Sequence, residues 1–373
     1  MTKANKSQDN RFSVFGFRSL VFVFSDIINE NIKYYRKSSR VQIMEQIQNP
    51  KSKIQNLKTA VIGVGSLGQH HARNYVEIAA AGETEFVGVC DSNEENARLI
   101  AEKNNCEYFT DWREMLDKTD AVSIVTPTET HSEIACAFLE KGVNVLVEKP
   151  FARTLAEADL MIEAAAKSGA KLMVGHLERF NPAMVALRPF VTNPLYFEIH
   201  RVSPFPNRSL DVDVVLDVMI HDLDAIQWLV NSKVSEIRAV GIPVISDKVD
   251  AANARIEFEN GAVANITASR IGTEKIRKTR FYQTNSYVVL DYGTKFASVT
   301  SLNPKAAHPL LGISIHRLEI NDIEPLRAEI EAFLDCVVND KTPPITAEDG
   351  RRALDLALGV LDKIEDHRRR LNF

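Results

Sequence analysis

The sequence predicts an α/β domain built on a doubly wound parallel sheet, followed by an α+β domain with an open, largely antiparallel sheet. Three observations carry this reading. From Lys58 onward, short Val- and Ile-rich runs alternate with helical patterns; a Gly-x-Gly-x-x-Gly turn follows the first run; and after His176 strand-like stretches succeed one another without helices between them. A length of 373 residues suits two domains of about 150 residues each. Hydrophobic residues make up 45% and charged residues 25%, ordinary globular usage that excludes a disordered or fibrous chain. The net charge of −5 lacks the basic field of a nucleic-acid binder. Cys90, Cys106, Cys136 and Cys336 form no Cys-x-x-Cys pair, so neither a zinc ribbon nor a disulfide framework is expected, and a reducing cytoplasm fits.

Residues 1–57 differ from the rest. They hold ten Lys/Arg against four Asp/Glu, a balance of +6 that leaves −11 on the remaining chain. The apolar stretch from Phe12 to Phe24 is broken by Arg18 and falls short of the roughly 20 residues of a spanning helix. No small-residue cleavage site follows it, so a secretory signal is not expected either. Ile47-Gln48-Asn49 recurs as Ile54-Gln55-Asn56 around Pro50, a low-complexity linker. The expectation is a poorly ordered N-terminal extension, with translation beginning at Met44.

The parallel sheet is expected from Thr59–Gly63, Glu85–Cys90, Ala121–Val125, Val143–Val147 and Lys171–Gly175. Apolar strands separated by helices belong to sheets covered on both faces. The helix Leu155–Lys167 places Leu155, Ala158, Ile162 and Ala166 on one face, with Thr154 and Gly169 as its caps. Beyond His176 come a helical passage, Val212–Val230, and an antiparallel hairpin. There Arg255, Glu257 and Asn265 interleave with Ala254, Ile256, Phe258 and Ile266 across an Asn260-Gly261 turn. Two amphipathic helices, Pro325–Val338 and Ala347–Leu371, are expected to pack back onto the body. The domains are therefore 58–175 and 176–373.

Gly63-Val64-Gly65-Ser66-Leu67-Gly68 follows a strand and opens a helix. In that setting the first glycine permits the turn, the second admits a pyrophosphate and the third lets helix and strand pack closely. The helix N-terminus offers N–H groups to the phosphates. Asp91 ends the next strand, 23 residues after Gly68, where a carboxylate accepts from the ribose hydroxyls. Its charge, with no Arg or Lys within Ser92–Glu95, favours NAD over NADP.

Lys149, in Glu148-Lys149-Pro150, ends a later strand on the side where ligands bind such sheets, near the nicotinamide. A surface lysine is the alternative; a cis bond before Pro150 would fix its direction. Helical spacing puts Asp217, His221 and Asp224 on one face of an otherwise apolar segment, a costly polar stripe unless it lines a cavity or is paired. Histidine titrates near neutrality and can take a hydroxyl proton as hydride leaves carbon. A structural His–Asp pair and a divalent metal site remain open. His70, His71 and Cys136 read as surface or packing residues, and no metal ligands are expected.

These pieces, with Thr126-Pro127 followed by His131, resemble the Gfo/Idh/MocA family of NAD(P)-dependent sugar oxidoreductases over residues 58 to about 370. The resemblance implies a Rossmann domain, an α+β domain whose open sheet helps homo-oligomerisation, and a sugar between them. It also implies coenzyme contacts from Ser66, Leu67, Thr126, Pro127, His131 and Glu148, with Lys149 and His221 beside the reacting carbon and Asp217 supporting them. The run Val174-Gly175-His176-Leu177-Glu178-Arg179-Phe180-Asn181-Pro182-Ala183 is similar to the branch that oxidises the 3-hydroxyl of UDP-N-acetylglucosamine ahead of an aminotransferase. Another sugar or inositol, or a non-catalytic sensor, are the other readings. A nucleotide sugar needs cations for its diphosphate, so Arg179, Arg201 and Arg208, with Asn181, are the expected substrate ligands.

Overall fold

A computed structural model describes residues 57–82, 84–205 and 212–371. The N-terminal extension, Leu57 apart, and Arg208 lie outside them. No helix among the described residues is long and apolar enough to cross a membrane.

Six parallel strands form the first sheet: β1 (Lys58–Ile62), β2 (Glu85–Cys90), β3 (Glu107–Phe109), β4 (Ala121–Ile124), β5 (Asn144–Glu148) and β6 (Leu172–Gly175). Their order is β3-β2-β1-β4-β5-β6, so the winding reverses between β1 and β4. Helices α1 (Gly68–Ala80), α2 (Glu94–Asn104), α3 (Thr128–Glu140) and α4 (Leu155–Ser168) connect them. Strand β3 was not legible in the sequence because it is an edge strand of three residues, two of them exposed. Thr154 caps α4 by accepting from the Glu157 N–H at 3.2 Å, a contact worth about 1 kcal/mol, and Gly169 ends it at φ +78°.

The second sheet has eight strands: β7 (Pro194–Val202), β8 (Val234–Ile242), β9 (Ala251–Phe258), β10 (Val263–Ser269), β11 (Ile276–Gln283), β12 (Ser286–Asp291), β13 (Phe296–Leu302) and β14 (Ile313–Arg317). The order is β14-β13-β12-β11-β7-β10-β9-β8, with β7 and β10 parallel and the other neighbours antiparallel. Alternate residues of β9 and β10 are buried, and Gly261 turns the hairpin between them at φ +86°. Helices α5 (Pro182–Leu187), α6 (Ile220–Val230), α7 (Pro325–Val338) and α8 (Ala347–Leu371) complete the fold.

Each sheet has its own core. Ile256, Phe258, Ile266 and Phe281 meet Leu223 and Ile226 of α6 and Ala357 and Val360 of α8 in the second. The C-terminal helices do not both stay with that sheet. Leu326, Ile330, Phe333 and Leu334 of α7 belong to the first core, where they cover the parallel sheet beside α1. Truncating the fully buried Phe333 to Ala should cost about 3–5 kcal/mol.

Candidate active site

The turns after β1 and β4 meet where the winding reverses. A Cβ on Gly63 (φ +87°) would stand 2.8 Å from the Thr126 nitrogen, and one on Gly68 would stand 1.9 Å from the Gly63 carbonyl oxygen. Both glycines are there for close packing. A Cβ on Gly65 would meet nothing within 4 Å, so this stretch of backbone faces open space with Ser66 exposed beside it. Helix α1 starts at this turn from Leu67 with no side-chain cap, its Gln69 and His70 N–H groups donating to the Gly65 and Leu67 carbonyls at 3.3 and 2.9 Å, and its positive dipole end faces the turn. Asp91, after β2, accepts from the Val64 N–H through Oδ2 and from the Asn93 N–H through Oδ1, each at 2.9 Å. A carboxylate oxygen has room for a second donor, so Asp91 can tie down the turn and still receive a ribose hydroxyl. An approachable turn, an uncapped helix start and a carboxylate at the next strand end together suit a dinucleotide.

Pro127 is exposed at the start of α3, whereas His131 is buried behind the Thr126 turn. Its ring nitrogens lie 3.0 Å from the Pro150 carbonyl oxygen and 2.9 Å from that of Thr126. Expected among the coenzyme contacts, His131 instead ties the turn after β4 to the turn after β5. Burial holds its pKa below the usual histidine value, against the pull of those carbonyls.

Glu148 ends β5 with a buried carboxylate. Its Oε1 lies 3.0 Å from His71 Nε2 and its Oε2 accepts from the Lys149 N–H at 3.2 Å. Gly175 is its partner on β6, where a Cβ would come within 2.9 Å of the carboxyl group. Burial alone would raise the Glu148 pKa, but the His71 hydrogen bond and charge, with Lys149, hold it below the usual range. The packing residue His71 thus connects the helix behind the glycine turn to the strand that carries Lys149. Close by, Glu329 of α7 is fully buried with neither carboxyl oxygen partnered among the described residues. Burial and then the Glu148 charge hold Glu329 well above the usual range.

The Lys149–Pro150 peptide is cis. Lys149 Nζ donates to the Asp217 carbonyl oxygen at 2.9 Å and to Asp217 Oδ1 at 3.2 Å. Asp217 stands in a π-helical turn, Val215–Met219, that runs into α6, so the passage is not the regular α-helix the spacing suggested. Single π turns recur where a helix serves a site. His221 follows in the first turn of α6, half-buried, its Nδ1 buried without a partner among the described residues. Burial pushes the imidazole well below its usual pKa, and the Lys149 and Arg201 charges push the same way. A neutral imidazole therefore lies within electrostatic reach of an anchored ammonium.

The arginines correct the sequence reading. Arg179 Nε and Nη2 donate to Asp224 at 2.8 and 2.5 Å, and its Nη1 to Asp349 of α8 at 3.1 Å. Arg201 Nε and Nη2 donate to Asp222 at 2.8 and 2.9 Å, and its Nη1 to Glu178 at 2.6 Å. Both are buried with all three guanidinium nitrogens committed to carboxylates, so they lock α6 to its surroundings and are not placed as diphosphate ligands. Asn181 likewise caps α5, its Oδ1 accepting from the Ala183 N–H at 3.1 Å. The signal available in the sequence was the helix Ile220–Val230 itself: Asp222 and Asp224, buried on it, each require a cation. His176, the residue after β6, is also buried near this cluster and was not singled out from sequence.

Residues 57–176 match the Gfo/Idh/MocA oxidoreductase family, NAD-binding Rossmann fold, and residues 194–289 match the Gfo/Idh/MocA C-terminal domain. The UDP-N-acetylglucosamine 3-dehydrogenase of Acidithiobacillus ferrooxidans is 36% identical over 311 residues, covering 83% of this chain and 98% of that protein. Its solved structure superposes with a TM-score of 0.78 over the same shares. The scyllo-inositol 2-dehydrogenase (NAD(+)) of Bacillus subtilis is 27% identical, over 83% of this chain and 94% of its own length. A levoglucosan dehydrogenase in complex with NADH, 21% identical, shares the fold at a TM-score of 0.76 over 84% of this chain and 98% of its own. With its glycine turn, its Glu148-Lys149-Pro150 strand end and its second sheet all in place, the chain belongs to the Gfo/Idh/MocA family of oxidoreductases.

Proposed function

We propose that the chain oxidises the 3-hydroxyl of UDP-N-acetylglucosamine to the 3-keto sugar, with NAD as oxidant. The observation that carries this reading is Lys149, at the end of β5, held through Nζ by Asp217, with His221 four residues beyond Asp217 in the first turn of α6. Gly63, Gly65, Ser66, Leu67 and Gly68 would hold the pyrophosphate, Asp91 the adenosine ribose, and Thr126, Pro127 and Glu148 the nicotinamide end. When bound, NAD supplies the hydride acceptor. His221 takes the hydroxyl proton as the C–H bond breaks. Lys149 donates to the same oxygen and stabilises the negative charge that develops there. Asp217 orients Lys149 through its carbonyl and carboxylate. Hydride and proton together leave a ketone, and the electrons balance.

Similarity to the Acidithiobacillus enzyme supports the nucleotide sugar, and similarity to the Bacillus protein supports an inositol as second reading. The presence of Lys149, Asp217 and His221 together argues against a non-catalytic sensor. The Asp91 charge favours NAD over NADP. A homo-oligomer formed through the second sheet and an aminotransferase that consumes the ketone complete the proposal. Purified protein assayed against UDP-sugars, free sugars and inositols, each with NAD and NADP, tests it. NADH formation fastest with UDP-N-acetylglucosamine is expected, and turnover confined to inositols would replace the first reading with the second.

A further inference from the structure

Glu148 and Gly175 pair across β5 and β6, so Lys149 and His176 are the residues that follow on neighbouring strand ends, and the His176 ring has no hydrogen-bond partner among the described residues. His176 is the first residue after β6, and its backbone is fixed: its N–H donates to the Val174 carbonyl at 2.9 Å, and its carbonyl accepts from the Arg179 N–H at 3.0 Å. The side chain is 1% exposed, yet neither ring nitrogen has a hydrogen-bond partner among the described residues. A buried imidazole with both nitrogens unpaired is costly and points to a ligand. The charged groups that influence the ring are Asp224, Arg179, Glu148 and Lys149, and His176 in turn acts on His221. All four already have partners, Lys149 through its bonds to the Asp217 carbonyl and carboxylate. Asp224 receives Arg179 on both oxygens, and Glu148 receives His71 and the Lys149 N–H. Two of the groups coupled to the ring, Lys149 and His221, are the pair between which a polyol is proposed to react. A hydroxyl both donates and accepts, so it satisfies either tautomer of the ring; a phosphate or carboxylate only accepts.

We propose that His176 is a substrate ligand, hydrogen-bonded to a hydroxyl of the bound polyol next to the one that is oxidised. The inference rests on the reading above that a polyol occupies this site. Its test uses equilibrium binding, which does not depend on turnover. The full chain and its His176→Phe and His176→Gln variants are loaded with NADH and titrated calorimetrically with UDP-N-acetylglucosamine, and with myo-inositol if the wild type binds only that. His176→Phe should weaken the sugar about 10-fold and His176→Gln about 3-fold, as for loss and partial retention of one hydrogen bond between neutral groups. NADH affinity should stay unchanged. The melting temperature of His176→Phe without sugar should not fall, because a flat aromatic ring still fills the position and two unpaired buried nitrogens are removed.

Unchanged sugar affinity in His176→Phe overturns the proposal. So does a parallel loss of sugar affinity, NADH affinity and melting temperature, the mark of a structural residue. If the Phe variant does not fold, His176→Asn against His176→Gln makes the same comparison. A wild type that binds sugar without oxidising it overturns only the catalytic reading; a wild type that binds neither polyol overturns both.

Discussion

Replacing Arg201 with Met tests whether the buried arginines are pillars of the site or ligands of the substrate. Arg201 is 4% exposed and Asp222 1%, and three charge-assisted hydrogen bonds of 2.8, 2.9 and 2.6 Å join Arg201 to Asp222 and Glu178. At about 1.5–3 kcal/mol each, the three bonds sum to about 4.5–9 kcal/mol. That sum is an upper bound, because a stranded carboxylate escapes by taking up a proton. Burial already holds the Asp222 carboxyl above its usual range even with Arg201 opposing, so the escape is accessible. Removal of one partner from a buried pair costs about 3–5 kcal/mol, and that is the expected loss. Such a loss is a large part of the about 5–15 kcal/mol that stabilises a typical domain. Urea unfolding followed by circular dichroism should show a lower midpoint with an unchanged slope. The double variant Arg201→Met, Asp222→Leu should recover part of the loss, since it removes the stranded Asp222 carboxylate and leaves only that of Glu178, whose side chain is 12% exposed. Sugar KM of the folded single variant should stay within about 2-fold of wild type, less than the loss of one neutral hydrogen bond. A wild-type midpoint combined with a KM raised about 10-fold would refute the pillar role and return Arg201 to the substrate.

Gly65→Ala should leave the urea midpoint within about 0.5 kcal/mol of wild type yet weaken NADH about 10-fold in a fluorescence titration, because the added methyl enters open space where the pyrophosphate would lie. Gly68→Ala, which drives a Cβ into the Gly63 carbonyl, should cost about 3 kcal/mol; an unchanged midpoint would contradict the packing described. Asp91→Asn keeps an acceptor for the Val64 N–H but loses the charge, so the preference for NAD over NADP in kcat/KM should fall about 10-fold, or about 1.4 kcal/mol. For pH, the folded-state pKa of His221 lies below its unfolded value of about 6.5, so kcat/KM should stay level as pH falls through 6.5 and drop only lower. Buried His131 and His176 are shifted the same way, so the unfolded chain takes up protons first and these rings should lower stability as pH drops below about 6.5, with Glu329, shifted upward, opposing them; a fall no smaller in His176→Phe than in the wild type would contradict the shift at that ring.

Period and turn chemistry made most of the fold legible. The apolar runs of β1, β2, β4, β5 and β6 could be read because a sheet covered on both faces leaves no room for alternation, and the Asn260-Gly261 hairpin could be read because one face of β9 and β10 is buried. Local signals also singled out Gly63–Gly68, Asp91, Lys149 and His221 as candidates. The misplaced residues depend on partners far along the chain. Arg179 meets Asp224 and Asp349 across 45 and 170 residues, and no local pattern separates a guanidinium bound for a buried carboxylate from one bound for a diphosphate. His131 was misplaced for a related reason: its carbonyl partners at Thr126 and Pro150 come together only when β4 and β5 pair. The π turn at Asp217 breaks a helical period that the apolar spacing alone continues.

The most direct test is the NADH absorbance that develops when NAD and UDP-N-acetylglucosamine are mixed with wild-type protein and with His221→Asn. Sugar-dependent NADH formation by the wild type is expected, with kcat lowered about 100- to 10,000-fold in the variant at unchanged NADH affinity. His221→Asn turning over at the wild-type rate would contradict the imidazole as the group that takes the proton.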